Sequence, residues 1–200
     1  MSLDPQLVIM AKAPLIGRVK TRLARDIGAV EALRFYREAA AGLIRRVGRD
    51  PRWHTLIAVA PGRAVHEPGT WPEDIPRVGQ GEGDLGHRMG SLFRDLPPGP
   101  VVIIGADIPG IGKHHIAAAF AALGGNDTVI GPAEDGGYWL VGQKRRPRVK
   151  DIFEGVRWSS EETMADTLKN IREQNMSVAL LDRLADIDEG ADLAKWRKKT

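Results

Sequence analysis

The 200-residue chain contains no cysteine. That absence excludes disulfides, zinc–thiolate centres and cysteine nucleophiles, and it agrees with a reducing cytoplasm. Long apolar runs are missing as well: none approaches the roughly 18 residues that span a bilayer. The start, Met1-Ser2-Leu3-Asp4-Pro5, lacks the apolar core of a signal peptide. Charge of one sign is scarce, with a formal net charge of +3, and aromatic residues make up 6%. No interleaving of basic and aromatic residues suggests a base-stacking platform, so nucleic acid is not an expected partner. The Walker loop G-x-x-x-x-G-K-[ST] is also absent, and residues 12–22 do not read G-x-G-x-x-G.

What remains is an ordinary globular composition, 42% hydrophobic and 28% charged. The length suits one domain, residues 1–200, able to bury a sizeable core. Apolar strand candidates fall at 6–11, 55–60, 101–105, 127–131, 138–142 and 177–181. Val101-Val102-Ile103-Ile104 is wholly β-branched, as befits a strand buried on both faces of a parallel sheet. Helical patterns lie between, at about 20–48, 84–95, 112–123, 160–174 and 190–198, with Ser159-Ser160-Glu161-Glu162 as an N-cap and Gly124-Gly125 as a stop. Alternating strands and helices predict a three-layer α/β/α sandwich with a mostly parallel sheet, and residues 61–79 read as a surface loop. Ligands bind such sheets beyond the carboxyl ends of the strands.

Basic residues cluster twice. The tail Lys195-Trp196-Arg197-Lys198-Lys199 reads as a solvated helix end. The other cluster is Met10–Leu23, where a short strand runs into a Pro/Gly loop carrying Lys12, Arg18, Lys20 and Arg22, followed by a helix. Free N–H groups at a helix start, surrounded by cations, suit a phosphate. Solvated basic residues on a helix start are the alternative.

Three further strand ends carry polar chemistry. Asp107, in Gly105-Ala106-Asp107-Ile108-Pro109, ends the most apolar strand. It is either a magnesium (or manganese) ligand or a cap for the helix that follows. Gly131-Pro132-Ala133-Glu134-Asp135-Gly136-Gly137-Tyr138 reads as a hairpin turn. Its Asp135 is also a candidate for holding an acceptor or a metal-bound water, and Gly136 and Gly137 for close approach of a ligand. Gly83-Asp84-Leu85-Gly86-His87-Arg88-Met89 places glycines before a helix that Asp84 can cap, with free N–H groups to meet a base or ribose; His87 reads as a surface residue. Near the end, Asp186-Ile187-Asp188-Glu189-Gly190-Ala191-Asp192 supplies helix caps or a second metal ligand.

Taken together, these segments resemble a known family. A-K-A-P-x-x-G-x-V-K-T-R-L (11–23), G-D-L-G-x-R-M (83–89), G-A-D-I-P (105–109), G-P-A-x-D-G-G-Y-W-L-V-G (131–142), W-S (158–159) and D-I-D-x-x-x-D-L (186–193) occur in order along nearly the whole chain. They resemble the nucleotide-diphospho-sugar transferase superfamily, of glycosyltransferase-A fold. Within it they are most similar to the bacterial radical-SAM/selenodomain-associated transferases, relatives of the molybdenum-cofactor and phospholactate guanylyltransferases.

The resemblance implies a mixed sheet of about seven strands, with nucleotide bound at the strand carboxyl ends. It implies Asp107 and Asp188 as metal ligands. Lys12, Lys20, Thr21 and Arg22, with Arg18, would meet phosphate. Gly83, Asp84, Leu85, Gly86 and Arg88 would line the base and ribose pocket. Asp107 stands without the Asp-x-Asp of glycosyltransferases, which favours nucleotidyl transfer to a small-molecule acceptor. Glycosyl transfer from a nucleotide-sugar and nucleotide binding without turnover are the alternatives. On the first reading Lys12, Lys20, Asp107 and Asp135 form the catalytic set.

Overall fold

The computed structural model describes residues 3–198; the Met1-Ser2 lead-in and Lys199 of the basic tail lie outside the described residues. Seven strands form one sheet in the order β3-β2-β1-β4-β6-β5-β7. They are β1 (Gln6–Lys12), β2 (His54–Ala60), β3 (Arg77–Gly79), β4 (Val101–Gly105), β5 (Thr128–Pro132), β6 (Tyr138–Gln143) and β7 (Val178–Leu180). β6 pairs antiparallel with both β4 and β5, and the other pairings are parallel. The carboxyl ends of six strands and the start of β6 therefore share one edge of the sheet.

The helices are α1 (Thr21–Ile27), α2 (Ala29–Val47), α3 (Leu85–Asp95), α4 (Lys113–Gly125), α5 (Thr163–Glu173) and α6 (Gly190–Arg197). Strand alternation sorts the apolar side chains onto two faces. Leu7, Ile9, Val102 and Ile104 face α2 and α4, packing against Leu43, Ile44, Ile116 and Leu123. Val8, Val101 and Ile103 face α3 and α5, against Met89, Phe93 and Ile171. The three layers expected from the sequence are thus present. Full burial of each such side chain is worth about 1.5–3 kcal/mol. A third cluster packs α6 over α1 and α2, through Leu23, Phe35, Ile187 and Leu193.

Four local expectations are corrected. The helix expected over 20–48 is broken at Gly28, whose φ of 84° lies in the left-handed region and whose N–H closes α1 onto the Ala24 carbonyl at 3.0 Å. Within the expected 61–79 loop lie a 3-10 turn, Gly62–His66, and the three-residue strand β3. That strand is too short to show a period of two. α4 continues through both Gly124 and Gly125 to an Asn126 cap. α5 begins only at Thr163, because the Thr163 hydroxyl donates to the carbonyls of Arg157 (2.8 Å) and Ser160 (2.9 Å) and holds Ser159-Ser160 in the preceding turn.

Candidate active site

β1 hydrogen-bonds to β2 on one side and to β4 on the other, while the chain leaves it toward β2; this is the switch point where open α/β sheets bind ligands. The end of β1 is tied down twice. The Tyr36 hydroxyl both accepts from the Lys12 N–H and donates to the Lys12 carbonyl, each at 2.8 Å. Burial, with the Asp107 charge nearby, holds the Tyr36 hydroxyl far above its usual range, so it stays neutral. The buried Gln80 amide donates to Ala11 (3.0 Å) and Ala58 (2.9 Å), stitching β1 and β2 together at the same level. These contacts fix the backbone from which Lys12 projects.

A cleft of about 440 Å³ opens over this edge, lined among others by Lys12, Lys20, Gln80, Leu85, Arg88, Asp107, Tyr138, Ser159 and Asp186. Beside it a cavity of about 370 Å³ is lined by Lys12, Arg18, Arg63 and Arg88, with Ala13, Leu15, Ala60 and Pro61, and with no acidic residue. Lys12 and Arg88 belong to both. Four cations facing one space without a carboxylate repel one another until an anion arrives. Arg63, on the 3-10 turn after β2, was absent from the sequence reading. Nothing marks it locally; it joins Lys12 and Arg18 only because β2 lies beside β1.

Lys20 behaves differently. It is a non-glycine residue in left-handed backbone conformation, φ 45° and ψ 49°, at the N-cap of α1. Its side chain is only 6% exposed, and Nζ lies 2.9 Å from Asp107 Oδ2 and 2.9 Å from Asp188 Oδ1. Burial lowers the basicity of the ammonium, but the charges of Asp107 and Asp188 and their hydrogen bonds outweigh it and raise its pKa. Arg22 reaches the far oxygen of Asp188 at 3.5 Å. The two residues the resemblance assigns to metal are thus brought together, with the lysine assigned to phosphate between them.

Neither aspartate is a helix cap. Gly112 is the N-cap of α4 and Glu189 that of α6. The first turn of α6 is closed by Asp192, which accepts from the Glu189 N–H at 3.1 Å.

Asp186 completes a carboxylate cluster. Burial pushes its carboxyl up to about 7, and the charges of Asp135, Asp107 and Asp188 push the same way, with Lys20 opposing. Its Oδ1 is buried without a hydrogen-bond partner. The sequence reading placed Asp186 in the terminal acidic run without a role of its own.

The donor set fits a hard divalent cation. All the donors are carboxylate oxygens, and the orphaned Asp186 oxygen is of the kind such an ion satisfies. Among the described residues, though, no three acidic or histidine side chains are already arranged around a common point. The space between Asp107 and Asp188 is held by the ammonium.

Other candidates from the sequence make local structural contacts. Asp84 caps α3 by accepting the His87 N–H at 2.8 Å, and Arg88 donates to the Gly83 carbonyl at 2.9 Å. Gly86 is a packing position, because a Cβ there would meet the Trp158 ring at 2.6 Å. Asp135 accepts the Gly137 N–H at 2.9 Å and shapes the β5–β6 hairpin. Gly136 has φ +86°, and the room a side chain would need is filled by the backbone of Glu161. The free space at these glycines is used by the chain itself. Thr21, Arg22 and Asp188 flank the cleft without lining it. Gly136→Ala should accordingly cost about 1–3 kcal/mol through φ strain and the Glu161 contact. Urea unfolding checks this, and an unchanged midpoint would contradict it.

A family model described as "Uncharacterized protein conserved in bacteria (DUF2064)" matches residues 43–160. The chain belongs to this family. No curated protein matches it in sequence.

Among solved structures, this DUF2064 chain is similar to a protein from Desulfovibrio desulfuricans G20 provisionally described as a nucleotide-diphospho-sugar transferase. The two are 29% identical with a TM-score of 0.88, over 100% of this chain and 88% of the other. It is also similar in fold to the 4-diphosphocytidyl-2C-methyl-D-erythritol synthase of Anaerococcus prevotii DSM 20548, at 9% identity and TM-score 0.60, over 98% of both chains. Rv0371c from Mycobacterium tuberculosis H37Rv, solved in complex with manganese, aligns at 13% identity and TM-score 0.55, over 98% of both chains. The fold is that of the nucleotide-diphospho-sugar transferases. Among the described residues, no helix is long and apolar enough to cross a membrane.

Proposed function

We propose that this chain is a metal-assisted transferase that takes a nucleoside triphosphate and moves its nucleotidyl group to a small-molecule acceptor, releasing pyrophosphate. The observation that carries the reading is the adjacency of two opposite fields. A four-cation cavity without acids borders a cleft that leads to a carboxylate cluster. A triphosphate with a divalent cation needs both.

In this reading Lys12, Arg18, Arg63 and Arg88 hold the phosphates, Arg with paired donors and Lys as a point charge. Asp107 and Asp188, with Asp186, hold magnesium or manganese. A bound divalent ion supplies Lewis-acid stabilisation of charge developing on the phosphates. The residues of the chain contribute positioning and electrostatics, so no covalent nucleophile is required. Gln80 and Tyr36 keep the end of β1 rigid beneath the phosphates, and the Asp135 hairpin borders the acceptor side. Residues 1–200 act as one domain in the cytoplasm, without nucleic acid as partner. Membership of the radical-SAM/selenodomain-associated branch is part of the same proposal.

A second reading, glycosyl transfer from a nucleotide-sugar, is favoured by the description of the Desulfovibrio protein. The product separates the two, pyrophosphate in the first and nucleoside diphosphate in the second.

The test is a thermal-shift panel of nucleoside triphosphates and nucleotide-sugars, each with magnesium and with a chelator. Ligands that bind only the folded state raise Tm by mass action. Stabilisation by one triphosphate, larger with magnesium, is expected. Silence across the panel would overturn the reading. Arg63→Ala should weaken triphosphate binding about 10- to 150-fold, the scale of one charged hydrogen-bond partner. Unchanged affinity would remove Arg63 from the phosphate site.

A further inference from the structure

Lys20 holds the position that a cation between Asp107 and Asp188 would take. Its nitrogen is 2.9 Å from an oxygen of each, and its side chain is 6% exposed. The two carboxylates come from the segment after β4 and from the segment before α6, and among the described residues the lysine is the one side chain that forms an ion pair with both. It is carried by an unusual backbone. Among the described residues Lys20 is one of four non-glycine residues with positive φ, and that conformation sets the direction from which its side chain leaves the N-cap of α1. Left-handed backbone on a long side chain persists where surrounding contacts enforce it, and it concentrates at functional sites.

We infer that Lys20 is a built-in counter-ion that excludes divalent metal from the free protein, so that metal enters only together with a polyphosphate. The inference rests on the transferase reading of this cleft. A divalent ion placed on Asp107 and Asp188 would stand against the ammonium, and like charges at such range repel strongly where water is scarce. A polyphosphate reverses this balance. It brings anionic oxygens into the cavity lined by Lys12 and Arg88, which adjoins the cleft that Lys20 lines. The ammonium then has a second set of anions, and the carboxylates are freed for the metal that accompanies the phosphates. The free site avoids two uncompensated neighbouring carboxylates, and metal is not captured unproductively. Lys20 is on this account a positioning residue for the metal as much as a contact to phosphate.

The experiment is equilibrium dialysis against manganese without nucleotide, on wild type, Lys20→Gln and Lys20→Met, with Tm followed for each. Gln keeps an N–H donor for one carboxylate and Met keeps the volume, so the two guard against a variant that fails to fold. Both variants should retain manganese at least tenfold more tightly than wild type. Adding Asp107→Asn to Lys20→Gln should abolish the gain. Adding inorganic tripolyphosphate should make wild type retain manganese in excess of what the polyphosphate carries evenly across the membrane. Equal retention by wild type and both variants would overturn the inference, and so would a gain that persists without Asp107. No gain by wild type with tripolyphosphate would overturn it too, whereas failure of the transferase reading shows differently: manganese would behave as expected here while no nucleoside triphosphate or nucleotide-sugar shifts Tm.

Discussion

Replacing Asp107 with Asn should erase the magnesium-dependent part of triphosphate binding, by at least about a hundredfold or roughly 3 kcal/mol, while the protein stays folded. Asn preserves the shape of the side chain but removes the charge that a hard cation requires. The fold tolerates the change because Lys20 keeps Asp188 as its partner at 2.9 Å, and Asp107 itself is about a third exposed. The check is a set of triphosphate titrations with magnesium and with chelator, read by thermal shift. A variant as magnesium-dependent as wild type would move the metal to other ligands. A collapse of Tm would show instead that Asp107 is structural, as the counter-charge for Lys20.

Asp186→Asn should make the protein more stable at neutral pH, and the gain should depend on pH. The folded carboxyl is raised to about 7 from an ordinary value of 3.8, chiefly by burial and then by the charge of Asp135. A raised carboxyl binds its proton more tightly folded than unfolded. Its contribution is therefore most favourable below pH 4 and is lost as pH rises to about 7. Across that window wild type gives up about 4 kcal/mol at this site, which the neutral Asn does not. The Tm difference between variant and wild type, measured with chelator present, should be small at pH 4, grow up to pH 7 and level off above. A difference that is flat from pH 4 to pH 8 would refute this. Excess magnesium with triphosphate should narrow the gap at pH 8, because a cation relieves the charge the buried carboxylate otherwise carries alone.

Much of the architecture was legible because its signals are local. The β-branched run Val101–Ile104 reads as a doubly buried strand, and in the fold it lies between β1 and β6 with side chains on both layers. Asp84 before Leu85 reads as a cap and is one. β3 escaped notice because three residues show no period, and the break at Gly28 because apolar spacing continues across it. The Asp-Gly-Gly turn exposed a different weakness. Glycine signals that space is needed, not what fills it, and at Gly86 and Gly136 the space belongs to Trp158 and Glu161.

By itself the sequence determined the layered α/β class, the strand that leads to Asp107 and the presence of a basic loop after β1. These follow from side-chain periodicity and composition, which act over a few residues. Which charge meets which was decided only by the tertiary structure. Lys20 and Asp188 are 168 positions apart, and they meet because the segment leading into α6 returns across α1. The same folding took Lys20 out of the open basic loop and put it between two carboxylates, while bringing Arg63 from the turn after β2 into the cation-lined cavity. Electrostatic energy depends on separation in space and on burial, and chain order encodes neither.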